Sequence, residues 1–226
     1  MEADKFSSIA GRYDLANSVL SFGRHRRWKK RLVEAAGIQS GERILDLCSG
    51  TGDVAVLAAE KWGTAEVTAG DISEKMLALA REKARRENLK INFIAADARR
   101  LPFAGGSFDA VLISFGVRNV ENWETELLPE IKRVLKPNGR VLFLEFLPPR
   151  GFLGFFRGFY LSAVPLLGRL VSGEGKPYEY LAESIKKFPD VGSVEKLLAN
   201  AGFGEIASEK MTFGAVAIFR AKKSGN

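Results

Sequence analysis

The chain has 226 residues, of which 46% are hydrophobic, and a formal net charge of +7. This length and composition suit a single folded domain spanning 1–226. With one cysteine and one histidine, an internal disulfide is excluded and no metal site is expected. Neither an apolar run of about 18 residues nor a signal peptide is visible, so we expect a cytoplasmic protein.

The N-terminal segment, residues 1–36, is predicted to be a helical arm with Tyr13 among its aromatic members. It carries a basic run, Arg24–Arg31, in which only His25 and Trp28 are not lysine or arginine. A run of this kind usually forms a solvated helix face. Because a tryptophan among cations suits a membrane interface, contact with anionic lipid or with a partner is the alternative.

A strand, a glycine-rich turn and a helix are predicted next. Residues 44–47 are mostly apolar, as in a buried parallel strand, and apolar residues recur at helical spacing after Asp53. Between them, Gly50 and Gly52 can adopt positive φ and keep side chains away from a ligand. The turn ends at a helix N-terminus, whose unpaired N–H groups favour an anionic group.

A second predicted strand, Glu66–Ala69, leads to Asp71, where a carboxylate can accept hydrogen bonds from both ribose hydroxyls. A dinucleotide site prefers a third glycine, but this chain has Val54 or Ala55 there, and Asp53 would repel a pyrophosphate. S-adenosylmethionine has no phosphate and carries a sulfonium cation. We therefore interpret the turn as an S-adenosylmethionine site, with a ligand-free glycine turn as the alternative.

Strands and helices then alternate. A helix is predicted at 74–87, capped by Ser73 and with Lys83 on its solvated face. Strands at 91–95 and 108–114 follow, then a helix from Trp123 to the stop signal Lys136–Gly139, and a strand at 141–146. This order predicts an α/β fold with a parallel sheet, helices on both faces and ligands at the carboxyl ends of the strands.

Residues 147–190 break the alternation with an apolar insertion rich in phenylalanine and leucine. Such a segment either packs on the core or covers an apolar ligand. Its glycines favour a lid that is mobile without substrate. A short helix around Val194–Ala201 and two paired strands, Glu205–Thr212 and Ala215–Lys222, complete the prediction.

Several motifs resemble those of the ubiquinone/menaquinone biosynthesis C-methyltransferase family. They include the arm segment Phe6–Asp14, the turn Gly50–Asp53 with Asp71–Ser73, and Leu101–Phe103. The segment Phe115–Asn119 is among the most specific, because ordinary methyltransferases lack it. Further matches lie at Leu20–Gly23, Val164–Pro165, Tyr178–Leu181, Ser184–Ile185 and Phe188–Pro189.

The resemblance implies a Rossmann-like class I methyltransferase sheet of seven strands, the last of them antiparallel. It implies S-adenosylmethionine as the cofactor and a polyprenyl quinol as the substrate, either demethylmenaquinol or a polyprenyl methoxy-benzoquinol. Cys48 stands where such turns often carry glycine, and we interpret it as a packing residue rather than a nucleophile. Phe219 stands where the family often has histidine. Cofactor contacts are expected at Asp46, Gly50, Thr51, Gly52, Asp71, Ile72, Asp97, Ala98 and Ser114.

The expected chemistry is attack by a quinol ring carbon on the sulfonium methyl, once a phenolic oxygen has lost its proton. Arg118 and Asn119 follow the fourth strand, beside the expected methyl donor. Arg118 is a candidate for stabilising the phenolate, directly or through a water, and Asn119 and Tyr13 for orienting ring oxygens. A simple salt bridge and a helix cap are the alternatives for Arg118 and Asn119.

The sequence also allows other functions. A nucleic-acid methyltransferase would explain the positive charge, but it would usually have an N-P-P-Y-type tetrapeptide or a cysteine where this chain has Ser114–Val117. Another small-molecule methyltransferase and a cofactor-binding subunit without activity are further alternatives. As partners we expect the quinol and a membrane surface, contacted peripherally and reversibly. No nucleic acid is expected, and a homodimer is possible.

Overall fold

The computed structural model describes residues 18, 21, 23–63, 65–150, 164–165 and 176–225. Tyr13, nearly all of the predicted arm before Gly23, and most of the apolar insertion lie outside the described residues. None of the helices in the described ranges is long and apolar enough to cross a membrane.

The elements alternate along the chain largely as predicted. The helices are α1 (Arg24–Ala36), α2 (Asp53–Lys61), α3 (Glu74–Arg86), α4 (Leu128–Val134), α5 (Lys176–Lys187) and α6 (Val191–Asn200). The strands are β1 (Arg43–Leu47), β2 (Glu66–Asp71), β3 (Asn92–Ala95), β4 (Phe108–Ser114), β5 (Leu135–Phe146), β6 (Phe203–Met211) and β7 (Val216–Lys223). Ser73 caps α3 as expected, since its hydroxyl accepts from the Met76 N–H.

The seven strands form one sheet in the order β3-β2-β1-β4-β5-β7-β6. Strands β1 to β5 pair in parallel, whereas β7 is antiparallel to both β5 and β6. The predicted α/β class and the antiparallel last strand are confirmed.

The sheet buries apolar side chains on both faces because alternate strand residues point in opposite directions. Ile44 and Leu112 belong to a cluster with α1 and α2, whereas Leu45 and Ile113 belong to a cluster with α4 and α6. Helices therefore cover both faces, as the alternating sequence indicated.

The helix expected from Trp123 is present: it begins as a π-helix, Trp123–Leu127, continues as α4 and ends at Val134, before the predicted stop signal. The next strand begins earlier than the predicted residue 141, at Leu135. The segment Lys136–Gly139 therefore lies inside β5, where the pairing shifts between Phe108 and Ala110 and Asn138 has φ 62°. Proline cannot donate to a sheet ladder, and a bulge accommodates it without ending the strand.

The basic run does not form a uniformly solvated face. In α1 the side chains of His25, Trp28 and Lys29 are buried, while Arg24 and Arg27 are exposed. The Trp28 indole N–H donates to the Thr212 hydroxyl at 2.9 Å. Trp28 is therefore part of the core, which argues against the alternative that this side chain inserts at a membrane interface.

Candidate active site

The candidate site lies at the carboxyl ends of β1, β2 and β4. Leu47 at the end of β1 pairs with Gly70 of β2 and with Ile113 of β4. From β1 the chain continues outward to β2 and β3, and from β4 it continues in the other direction to β5. A reversal of this kind leaves a crevice between the two strands, where ligands bind in open parallel sheets.

The turn after β1 uses its two glycines for different reasons. Gly52 has φ 78°, and a Cβ added there would lie 2.8 Å from the Ala80 Cβ of α3. Gly50 has φ 54°, and an added Cβ would meet nothing within 4 Å. Gly52 therefore permits close packing of the turn on α3. Gly50 has no side chain and so leaves the space at the crevice open.

The Asp71 carboxylate is oriented by two backbone N–H groups. Oδ2 accepts from Gly50 N at 2.8 Å and Oδ1 accepts from Ser73 N at 2.8 Å. Burial raises the pKa of Asp71, and these hydrogen bonds oppose the rise. Each oxygen retains lone-pair capacity, so the carboxylate can accept two more hydrogen bonds from a diol.

Asp46 lies beneath the same turn and is almost completely buried. Its Oδ2 accepts from Ala55 N at 2.9 Å, while Oδ1 has no hydrogen-bond partner among the described residues. Burial raises the pKa of Asp46 to about 8. The Ser49 hydroxyl nearby is likewise buried and unpartnered within the described ranges. Buried polar atoms without partners are costly and mark places where a ligand or water completes the hydrogen bonding.

Asp53 begins α2 and is held by two lysines. Lys29 Nζ of α1 lies 2.8 Å from Oδ2, and Lys83 Nζ of α3 contacts Oδ1. Burial opposes ionisation of Asp53, but the two ammonium groups outweigh it and hold the pKa below its usual range. Lys83 Nζ also lies 3.4 Å from the Thr51 hydroxyl. Lys83 is thus not on a solvated face, contrary to the prediction.

The two lysines weaken one of the reasons for excluding a dinucleotide cofactor. Because Lys29 and Lys83 neutralise Asp53, its repulsion of a pyrophosphate is weaker than the sequence indicated. The missing third glycine remains the stronger argument against a dinucleotide, since Val54 and Ala55 fill that place with buried side chains.

The remaining predicted cofactor residues lie around Asp71. Ile72 is 50% exposed, which is unusual for a large apolar side chain beside a polar crevice. Asp97 follows β3, the neighbour of β2, but its carboxylate binds Arg99, whose Nη2 is 2.7 Å from Oδ2. Ala98 is buried, and the Ser114 hydroxyl at the end of β4 is buried without a hydrogen-bond partner in the described part of the chain.

Arg118 forms a buried ion pair with Glu145 of β5. Its Nη1 lies 2.7 Å from Glu145 Oε2, and the two side chains are 5% and 0% exposed. The same Nη1 donates to the Phe115 carbonyl at 2.8 Å. Nε is buried and has no partner among the described residues. Burial raises the pKa of Glu145, and the Arg118 charge opposes the rise.

Aromatic rings enclose this pair. The Arg118 guanidinium carbon lies 5.9 Å from the Phe115 ring centre and 5.6 Å from the Phe146 ring centre. Trp28 of α1 packs edge-on against both rings at 6.2 and 6.0 Å. The Asn119 amide donates to the Phe115 carbonyl at 3.1 Å, while its Oδ1 is buried without a partner in the described ranges.

The turns that follow β1 and β4 pack against each other at Cys48 and Gly116. A Cβ added to Gly116 would lie 2.5 Å from the Cys48 Cβ, so only glycine fits. Burial raises the pKa of the Cys48 thiol well above its ordinary value, and the surrounding carboxylates, led by Asp71, raise it further. A thiol in this state is a poor nucleophile, which supports the interpretation of Cys48 as a packing residue.

The structure brings most of the predicted site residues to one edge of the sheet. The sequence interpretation missed Glu145 and Lys29. A single carboxylate within the apolar segment Val141–Phe146 was the available signal for Glu145, since a buried charge needs a partner. Lys29 offered no comparable signal, because it lies among other cations. Tyr13 lies outside the described residues.

Comparisons with known proteins agree with this geometry. The sequence model of the ubiE/COQ5 methyltransferase family matches residues 2–223. A demethylmenaquinone methyltransferase of Thermus thermophilus is 46% identical over 215 residues, covering 94% of this chain and 97% of that protein. A ubiquinone/menaquinone biosynthesis C-methyltransferase UbiE of Pseudomonas entomophila is 40% identical over 226 residues, covering 98% of this chain and 88% of that protein.

Solved structures share the fold at lower identity. A possible histamine N-methyltransferase of Thermotoga maritima superposes with a TM-score of 0.71 at 19% identity, over 99% of this chain and all of that one. Phosphoethanolamine N-methyltransferase 2 of Haemonchus contortus, solved with S-adenosylhomocysteine, superposes with a TM-score of 0.70 at 20% identity. That match covers 93% of this chain and 56% of the Haemonchus protein.

Proposed function

The chain belongs to the ubiE/COQ5 methyltransferase family, whose cofactor is S-adenosylmethionine, and on that premise we propose that it methylates a ring carbon of a polyprenyl quinol. The more similar of the two relatives is named for demethylmenaquinone, which favours a naphthoquinol over a benzoquinol. One observation carries the proposal: a carboxylate suited to a diol lies at the same sheet edge as Arg118 and Asn119. Each of these two side chains keeps one buried atom that has no partner among the described residues.

The residues around the β1 turn fit this cofactor. Asp71 would accept the ribose hydroxyls, and the half-exposed Ile72 would contact the adenine. Asp46 and Ser49 offer the amino end oxygens that have no partner within the described ranges. The open space at Gly50 would admit the body of the ligand. When bound, S-adenosylmethionine supplies a methyl group activated by the sulfonium charge.

Six further residues complete the proposed site. Thr51, Gly52, Ala98 and Ser114 lie along the same edge and would line the cofactor. Asp97 would have to share its carboxylate with Arg99 or release it. Tyr13 would approach the quinol from the N-terminal arm.

Arg118 and Asn119 would bind the quinol oxygens. The Arg118 Nε–H can donate to the oxygen that becomes phenolate, and Asn119 Oδ1 can accept from the hydroxyl of the second oxygen. Because Glu145 already balances the guanidinium charge, Arg118 would act as a fixed hydrogen-bond donor rather than as a free cation. A donor held in place before the reaction stabilises developing charge without reorganising.

The substrate also motivates proposals about the rest of the chain. A polyprenyl quinol resides in a bilayer, so we propose reversible, peripheral membrane association. The apolar insertion, 147–190, would cover the tail as a lid on a single domain. Within its described part, Phe188 stacks on Trp123 at 5.8 Å, so the end of the insertion is anchored to the fold. Dimer formation is left to measurement.

The test is methylation of a short-tailed demethylquinol by the purified protein. With methyl-labelled S-adenosylmethionine, mass spectrometry should find the label on a ring carbon, and fragmentation should distinguish carbon from oxygen methylation. Parallel reactions with the naphthoquinol and the methoxy-benzoquinol would identify the ring. Cofactor binding without methyl transfer to either quinol would overturn the proposal, as would methylation of RNA alone.

A further inference from the structure

The tip of the β6–β7 hairpin, Thr212–Ala215, exposes an aromatic side chain in a strained conformation. Phe213 is 84% exposed, the largest exposed fraction among the big apolar side chains of the described residues. Thr212 and Phe213 have φ 50° and 54°, values that residues other than glycine rarely adopt. The Trp28 indole holds this conformation by donating to the Thr212 hydroxyl. Neither burial nor backbone preference accounts for a phenylalanine here.

The hairpin tip lies beside the N-terminal end of α1. Arg31 forms a bidentate pair with Glu209 of β6, and Trp28, one turn earlier, contacts Thr212. Contacts nearer the N-terminus of α1 are therefore made with residues nearer the tip of the hairpin. Arg27 lies one turn before Arg31 on α1, and Arg24 lies one turn before Trp28, since residues three and four apart share a helix face. Both are exposed and have no carboxylate partner among the described residues.

The two elements beside the tip carry further positive charge. Arg26, Lys30 and Lys210 are also exposed on α1 and β6, and Glu209 of β6 is already paired with Arg31. A second copy of this chain would bring the same cations against each other, so the charge disfavours self-association through this surface. An anionic lipid surface complements it, and an aromatic ring flanked by cations suits the headgroup boundary.

The tip also lies at the edge of the sheet that holds the candidate site. Because β7 is antiparallel to β5, its start lies beside the end of β5, and Leu147 N donates to the Ala215 carbonyl at 3.0 Å. Trp28 connects the two regions directly, since it contacts Thr212 on one side and the rings around Arg118 on the other. A surface docked there would face the entrance of the site.

We propose that Phe213 and the N-terminal cations of α1, chiefly Arg24 and Arg27, form a docking surface for an anionic lipid bilayer. Phe213 inserts at the headgroup boundary, and the arginines contact lipid phosphates. This inference rests on the proposed function, because a bilayer-resident quinol gives the contact its purpose. It locates the contact on residues outside the apolar insertion.

The test is flotation of the full-length protein with phosphatidylcholine vesicles that contain or lack phosphatidylglycerol. The wild type should float with the anionic vesicles at low salt and lose that binding at high salt. Phe213→Gly removes the ring and suits the positive φ, so it should melt no lower than the wild type while its partition into vesicles falls by about tenfold or more. Its control is Leu79→Ala, which removes an exposed apolar side chain from α3.

A charge variant completes the design. Arg24→Gln/Arg27→Gln should lower partition by about tenfold or more. Arg85→Gln/Arg86→Gln changes the net charge equally at exposed positions of α3 and should float like the wild type. Equal losses in the two pairs, unchanged binding of Phe213→Gly, or concentration-dependent dimerisation that Phe213→Gly abolishes would each overturn the inference.

The two proposals fail in distinguishable ways. A wild type that methylates a short-tailed quinol in buffer but never floats would refute the docking surface alone. A wild type that floats as expected but methylates neither quinol would refute the function and remove the reason for the contact.

Discussion

At the ends of β1 and β2, the carboxylates of Asp46 and Asp71 are held by backbone N–H groups, whereas at the ends of β4 and β5 the Arg118 side chain is held by another side chain, that of Glu145. We call the first the donor half of the site, after the methyl donor that it would hold. We call the second the acceptor half, after the quinol that would accept the methyl group. Backbone N–H groups are present whatever the sequence, so the fold itself orients the donor half. The acceptor half depends on the identities of residues far apart in the chain.

The largest expected effect lies in the acceptor half. Glu145→Leu leaves the Arg118 charge buried without its partner, so the free energy of unfolding should fall by about 3–5 kcal/mol in a denaturant titration. Arg118→Met/Glu145→Leu should recover most of that loss, because apolar side chains of similar volume can replace a buried pair. The double variant should not methylate the quinol, because it lacks Arg118.

Arg118→Ala tests the catalytic role at a temperature where the variant remains folded, because it too leaves Glu145 buried without its partner. Turnover should fall strongly while calorimetry finds cofactor affinity nearly unchanged, because Asp71 and Asp46 are untouched. Turnover on a short-tailed quinol within about threefold of the wild type, less than ~1 kcal/mol of barrier, would remove Arg118 from the mechanism.

The next largest loss of stability is expected at the contact between Cys48 and Gly116, where the two halves meet. Gly116→Ala places a methyl group against the Cys48 Cβ, and we expect a loss of about 1–3 kcal/mol in unfolding free energy. Adding Cys48→Gly should recover part of the loss, since it suits the Cys48 φ of 55°, but the Ile113 Cγ2 still lies 2.9 Å from the added methyl group. Gly192→Ala is the control, since an added Cβ there meets nothing within 4 Å. If both alanine variants melt alike, the contact does not constrain the turns.

Asp71→Ala tests the donor half. It should weaken S-adenosylmethionine binding by tenfold or more, roughly 1.4 kcal/mol or above, because contacts with the ribose and with the Gly50 N–H are lost together. Asp71→Asn keeps one acceptor oxygen and should fall between the alanine variant and the wild type. Calorimetry that finds equal affinities for all three would exclude the ribose role.

The smallest expected effect is a pH dependence from Asp46. Its pKa of about 8 means that a cationic ligand must displace a proton at neutral pH, so cofactor affinity should fall as pH drops below 8, by at most about tenfold per unit. Asp46→Asn should bind more weakly at pH 8 and lose the slope. A parallel pH profile in both proteins would contradict the assignment.

The same carboxyl group links pH to stability. Its pKa is raised on folding, so the folded state holds more protons than the unfolded state until the pH exceeds about 8. The contribution of Asp46 to the free energy of unfolding therefore decreases as pH rises toward 8. Thermal melting of Asp46→Asn, which keeps an acceptor for the Ala55 N–H, should show this decrease removed.

Local patterns were enough to predict much of the fold and of the donor half. The apolar run before Gly50, the position of Asp71 and the Ser73 cap are all readable within short windows, and their strands and helix lie where expected. Backbone φ values and strand ends follow from nearby residues, so sequence spacing is informative there.

The acceptor half could not be predicted in the same way. The partner of Arg118 is 27 positions away on β5, and Trp28 reaches Phe115 from α1, which precedes β1 in the chain. Burial of Trp28 and Lys29 inside a basic run depends on which face α1 turns toward the sheet. The early start of β5 at Leu135 could not be predicted either, because its pairing with β4 bridges Pro137 and Asn138 through a bulge.

The contact between Cys48 and Gly116 bears on how the two ligands affect each other's binding. Cys48 precedes the turn that would hold the donor, and Gly116 lies two residues before Arg118. Because the backbone at Gly116 lies so close to Cys48 that only glycine fits there, a ligand that fixes the first turn also restricts the second. The two affinities are then thermodynamically linked, and each ligand must change the binding of the other by the same factor. We accordingly expect the methyl donor to tighten quinol binding, and the quinol to tighten donor binding equally.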